Sequence, residues 1–165
     1  MENQVKKSVF LIGFMGVGKS SITLELGHLL GLDTVEMDDY IVQQEGRSIP
    51  EIFDQDGEGY FRQVERAVVV TLGEGEPRVI SCGGGVPMRE ENRKNMKKYG
   101  TVVLLTARPE TIFERVRHDQ NRPLLKDNMN VEYIAGLMAQ RQPAYEQAAD
   151  FAVSTDGKTP AEISR

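Results

Sequence analysis

Short apolar runs alternate along this chain with longer segments in which apolar residues recur every three to four positions. Val9-Phe10-Leu11-Ile12 is continuous and closed by a glycine, which predicts a strand over Val9–Gly13. Similar runs predict strands at Asp33–Glu36, Arg78–Ser81, Thr101–Thr106 and Phe151–Ser154. Most contain a short continuous apolar run, the pattern of strands covered on both faces. Helical patterns follow the first four. Ser20–Leu30 has Ile22, Leu26 and Leu29 at helical spacing, and Pro109 suits the first turn of a helix running through Ile112, Phe113 and Val116. Asn130–Ala148 is a longer helical stretch, with an interruption expected near Pro143. This alternation predicts an α/β fold: a three-layer sandwich with a parallel sheet between helices.

Two segments exceed plain alternation. Ile49–Leu72 is a long helical region broken at Asp56-Gly57-Glu58-Gly59, part of a helical insertion over about 38–72. The other, His118–Asn130 within about 117–129, is polar and contains Arg122-Pro123; it reads equally as a mobile lid or a solvated connection. At the end, Thr159-Pro160-Ala161-Glu162-Ile163 begins a helical pattern that stops at Arg165, too soon for a stable helix, so the C-terminal helix reads as truncated.

Composition narrows the class. A length of 165 residues predicts one domain, and 39% hydrophobic with 27% charged residues is ordinary for a globular protein. The net charge of −5 argues against broad binding to nucleic acid or to an anionic membrane. No apolar run is long enough to span a bilayer, and the polar start Met1–Lys7 reads as neither signal nor transit peptide. The single cysteine, Cys82, forms no internal disulfide and suits the cytoplasm. Cys82 and His28 read as packing residues and His118 as a polar residue of the second segment; none has zinc-ligand spacing.

The candidate chemistry begins at Gly13-Phe14-Met15-Gly16-Val17-Gly18-Lys19-Ser20, which fits the phosphate-binding pattern G-x-x-x-x-G-K-[ST]. A triphosphate is mostly charge. The glycines let the backbone N–H groups from Gly13 to Ser21 close around it, Lys19 reaches the β- and γ-phosphates, and the Ser20 hydroxyl ligates Mg²⁺. A strand precedes the loop and a helix follows it, so the helix N-terminus adds to the attraction for anions.

Four further motifs stand with the loop: Glu36-Met37-Asp38-x-x-Ile41, Gly57-Glu58-x-x-Phe61-Arg62-x-x-Glu65, Gly83-Gly84-Gly85, and Arg122-Pro123-Leu124-Leu125. Arg141-Gln142-Pro143-Ala144-Tyr145 extends the set. Together they resemble the shikimate kinases, small relatives of the nucleoside monophosphate kinases, over about Val9 to Thr155. The resemblance implies a five-stranded parallel sheet of order 2-3-1-4-5 with a mobile lid. It also implies Mg²⁺-dependent transfer from ATP to the shikimate 3-hydroxyl, on the route to aromatic amino acids. A cytoplasmic monomer with small-molecule substrates and no nucleic-acid partner is expected.

In that family Arg62 and Arg141 would hold the substrate carboxylate, and Asp38 would accept from the reacting hydroxyl. Gly83, Gly84 and Gly85 would let the backbone approach the ring, while Glu65 would orient Arg62 or touch a hydroxyl. Arg122 resembles the lid arginine on the transferring phosphate, and Arg115 the residue stacked near adenine; Arg117 competes for that place but reads better as a solvated residue. The usual motif is Asp, a small residue, then Asp, whereas this chain has Glu36-Met37-Asp38. The carboxylate linked to the Mg²⁺ shell is therefore one methylene longer. Without the resemblance, plainer readings stand. Arg62 and Glu65 are also a helical ion pair, Asp38 a helix cap, the triple glycine a turn, and Arg141 a solvated residue.

Overall fold

The computed structural model describes residues 8–14, 19–116 and 131–154. Five strands form one parallel sheet: β1 (Ser8–Gly13), β2 (Asp33–Glu36), β3 (Arg78–Ser81), β4 (Gly100–Thr106) and β5 (Phe151–Ser154), in the order β2-β3-β1-β4-β5. Among the described residues six α-helices flank it: α1 (Lys19–Leu30), α2 (Met37–Glu45), α3 (Ile49–Glu74), α4 (Glu90–Tyr99), α5 (Pro109–Val116) and α6 (Val131–Ala148). The apolar runs read above as strands are strands, within a residue at each end.

The reason is burial. β1 lies centrally, with Leu11 in register with Ser81 of β3 and Val103 of β4. Phe10, Leu11 and Ile12 are all within 1% of complete burial, each stabilising the fold by about 1.5–3 kcal/mol relative to exposure. The edge strand β5 differs: Phe151 is exposed. So are Leu29 and His28 on α1, both expected to pack.

Helix α3 carries much of the site. Its start is fixed by a capping box, in which Glu51 N–H donates to Ser48 Oγ (3.2 Å) and Ser48 N–H donates to Glu51 Oε1 (2.7 Å). The expected break occurs at Gly57 alone, with φ 86° and ψ 169°, a conformation nearly closed to residues with a Cβ. Arg47 braces the kink. It pairs with Asp56 at 2.6 Å and Glu45 at 3.0 Å, while Tyr60 beyond the kink donates to the same Glu45 carboxylate. The second arm can then bury Phe61, Glu65, Val68, Val69 and Leu72 independently of the first.

Helix α6 corrects one expectation. It runs unbroken through Pro143; that position and Ala139, one turn earlier, are exposed, where water can reach a carbonyl that has no helical partner. Asp38 is likewise no cap: α2 begins one residue before it, and Asp38 lies in the first turn.

Candidate active site

The carboxyl ends of β1, β2 and β3 meet at one edge of the sheet, where open α/β folds bind ligands. β1 delivers Gly13 and then Phe14; β2 ends at Glu36, and β3 leads through Cys82 into Gly83-Gly84-Gly85. Lys19 opens α1, and its Nζ donates to the carbonyl oxygens of Gly13 (2.8 Å) and Phe14 (3.3 Å). The buried Cys82 thiol registers the whole neighbourhood. Burial pushes its pKa up, Lys19 opposes this, and Glu65, Asp38 and Glu36 add to it.

The three glycines form the floor of the site. A Cβ on Gly83 would lie 3.1 Å from Asp38 Oδ1 and 3.3 Å from Glu65 Oε2. One on Gly84 would lie 2.9 Å from Arg141 Nη1, and one on Gly85 would lie 2.5 Å from Arg62 Nη1. Two carboxylates and two guanidinium groups, from α2, α3 and α6, thus rest against consecutive residues of one turn. The need for glycine here is close approach.

Within this group Arg62 Nη1 donates to Glu65 Oε1 at 2.7 Å, and its Nε and Nη2 face Glu58 Oε2 at 3.4 and 3.3 Å. Burial works against the Arg62 charge, but attraction and hydrogen bonds from Glu65 and Glu58 outweigh it, and its pKa is raised. For Glu65 the balance is reversed. Burial dominates, Arg62 offsets only part of it, and the carboxyl pKa also rises. Arg141 lies over the ring of Phe14, with 5.7 Å between guanidinium and ring centre.

An apolar hollow of about 100 Å³, lined by Phe14, Leu104, Ile112, Met138 and Tyr145 among others, lies near these residues. Its lining has no charged side chain.

Asp38, Arg62, Glu65, Gly83, Gly84, Gly85 and Arg141 are therefore brought together, with Lys19 and Glu36 beside them. Met15, Gly16, Val17, Gly18, Arg117 and Arg122 lie outside the described residues, as do the segments 117–130 and 155–165. Ser20 and Arg115 lie on α1 and α5, but their side chains are outside the description; Ser21 is exposed on α1. The sequence reading gave no role to Phe14, Glu58 or Tyr145. Glu58 was detectable as an i, i+4 partner of Arg62. The other two stand inside quoted motifs but carried no signal of their own.

The fold and this edge define a phosphate-loop kinase of the α/β class. The shikimate kinase family model matches residues 15–165, and the chain belongs to the shikimate kinase family. A shikimate kinase of Thermodesulfovibrio yellowstonii is 41% identical over 96% of this chain and 91% of its own. One of Deinococcus radiodurans is 45% identical over 94% and 78%. The solved structure of the Acinetobacter baumannii shikimate kinase in complex with shikimate superposes with a TM-score of 0.90, at 31% identity over 97% of this chain and 89% of that one.

Proposed function

We propose that this chain transfers the γ-phosphoryl group of Mg·ATP to the 3-hydroxyl of shikimate, giving shikimate 3-phosphate and ADP. The observation that carries this reading is the convergence of Arg62, Arg141, Asp38 and Glu65 on Gly83–Gly85, beside Lys19. Shikimate presents one carboxylate and three hydroxyls on a small ring. Guanidinium groups match the carboxylate with paired N–H donors, and a carboxylate matches a hydroxyl that must lose its proton. The family match does not favour the rival reading, a gluconate or nucleoside monophosphate kinase.

The roles are assigned on the family resemblance, and the grouping of these side chains supports them. Arg62 and Arg141 hold the ring by its carboxylate, with Glu65 fixing Arg62. Asp38 orients the 3-hydroxyl and takes its proton. Lys19 exchanges its two loop carbonyls for β- and γ-phosphate oxygens and stabilises charge as the phosphoryl group moves in line. Such transition states are loose, so positioning matters more than strong base catalysis. Arg122 and Arg115 are assigned to the transferring phosphate and to adenine on resemblance alone.

Mg²⁺ is tested by its donor set. Among the described residues no three His, Cys, Asp or Glu side chains gather to hold a metal. A nucleotide-borne Mg²⁺ needs less, since phosphates and waters fill most of its octahedron. Ser20 and Glu36 provide hard oxygen donors, and Glu36, at the end of β2, makes no cap hydrogen bond. The residues fit, with Glu36 acting through water. When bound, the ion neutralises charge on the phosphates. A cytoplasmic monomer completes the proposal; no described helix is long and apolar enough to cross a membrane.

The test is product identity. After incubation with Mg·ATP and shikimate, phosphorus NMR should show a monoester coupled to the ring proton at carbon 3. A monoester at another hydroxyl would move Asp38 away from the reacting group.

A further inference from the structure

Five consecutive carbonyls, from Gly83 to Pro87, all accept hydrogen bonds. Val86 N–H donates to Gly83 O and Met88 N–H to Gly85 O, each at 3.1 Å. Asn92 Nδ2 donates to Val86 O at 2.9 Å and Arg93 Nη1 to Pro87 O at 2.8 Å. The fifth bond differs, because it comes from the far side of the site: Tyr145 on α6 donates its hydroxyl to Gly84 O at 2.9 Å.

From this geometry we infer that Tyr145 is a positioning residue for substrate binding, setting the peptide between Gly84 and Gly85 through its hydroxyl. The inference rests on the reading that Arg62 and Arg141 hold the substrate carboxylate. In a planar trans peptide the N–H points opposite to the C=O. With Gly84 O held towards Tyr145, the Gly85 N–H points away from it. Among the described residues nothing accepts from that N–H. Arg62 lies against Gly85 and Arg141 against Gly84, so an anion held by both guanidinium groups is offered this backbone donor as well. A hydrogen bond into the carbonyl also polarises the peptide and strengthens its N–H as a donor.

Two observations support the assignment. A glycine pair has no side chains to fix its own peptide plane, so an external hold is needed where the plane matters. Tyr145 is 2% exposed, and burial raises its pKa against the opposing effect of Arg141, so the hydroxyl keeps the proton it donates. Arg141 and Tyr145 are one turn apart on α6. The same helix therefore supplies a group for the ligand and a group for the backbone that meets the ligand.

Tyr145→Phe removes the hydroxyl and keeps the ring. Loss of one hydrogen bond should raise the KM for shikimate about two- to tenfold. The KM for ATP and kcat at saturating shikimate should stay within about twofold, since neither depends on that peptide. The Gly85 amide proton should move upfield in the nitrogen–proton NMR spectrum of the free protein. An unchanged shikimate KM, an equal rise in both KM values, or failure of the variant to fold would each overturn the inference; the last would mean that the hydroxyl holds the core instead of one peptide. Arg62→Lys is measured alongside. It should raise the shikimate KM at least tenfold by losing fork geometry. If Arg62→Lys has no effect, the carboxylate reading fails, whatever Tyr145→Phe shows.

Discussion

Glu65 is 2% exposed and accepts a 2.7 Å hydrogen bond from Arg62, one helical turn earlier, whose side chain remains 21% exposed. The pair is asymmetric: the carboxylate bears the larger desolvation cost, and the guanidinium stays partly exposed. This separates it from a surface ion pair, which is worth little.

The asymmetry gives a pH signature. Burial raises the Glu65 pKa above its ordinary 4.5, with Arg62 offsetting only part. Folding therefore takes up a proton in the window between the unfolded and folded values. Stability from this group is fully present below the unfolded value and is lost as pH rises through the folded one. Glu65→Gln cannot titrate. The stability of the wild type relative to Glu65→Gln should thus fall as pH climbs from about 4.5. Denaturant unfolding of both proteins across this range measures it, and the opposite slope would show that Arg62 outweighs burial.

The glycine floor separates folding from binding. Gly85 has φ −90° and ψ −7°, open to any residue, but a Cβ there would lie 2.5 Å from Arg62 Nη1 and 3.0 Å from Cζ. That contact is the far end of a flexible side chain, so Arg62 moves and the backbone stays. Gly85→Ala should change unfolding stability by under about 1 kcal/mol while weakening shikimate binding by about 1.5–3 kcal/mol, the scale of a charged hydrogen bond. Calorimetric titration with shikimate and a thermal melt test the two halves.

How much was readable in the sequence depended on how local the cause was. β1, β3 and β4 are legible because short apolar runs end at Gly, Ser or Thr. The Gly57 kink is legible because two glycines interrupt a helical pattern. Pro143 misled, since its cost depends on whether the freed carbonyl faces water, a property of tertiary exposure. The same limit applied to Leu29 and His28, whose spacing fits a packed face that the fold leaves open. Arg62 and Arg141 were named through motifs, but their meeting on adjacent glycines depends on the turn after β3 touching both α3 and α6. The Tyr145 bond to Gly84 is wholly tertiary, and no local pattern announces it.

The two carboxylates near the end of β2 should separate in a magnesium titration. Glu36→Asp should remain within about tenfold of wild type, because a bridging water absorbs one methylene. Glu36→Gln should need more Mg²⁺ for half-maximal rate, having lost charge at constant length. Asp38→Asn should lose kcat at every Mg²⁺ concentration, having lost the acceptor for the hydroxyl proton. Rescue of Asp38→Asn by Mg²⁺, with normal Mg²⁺ dependence in Glu36→Gln, would reverse the two assignments.

The central claim, phosphoryl transfer to shikimate through the Arg62–Arg141 carboxylate site, is tested most directly by ADP release in a coupled assay with purified protein. Shikimate, gluconate and nucleoside monophosphates are offered in turn with Mg·ATP. ADP formation should depend on shikimate, saturate with it, and stay near the no-acceptor rate with the other compounds. Faster turnover with gluconate or a nucleoside monophosphate than with shikimate would contradict the account.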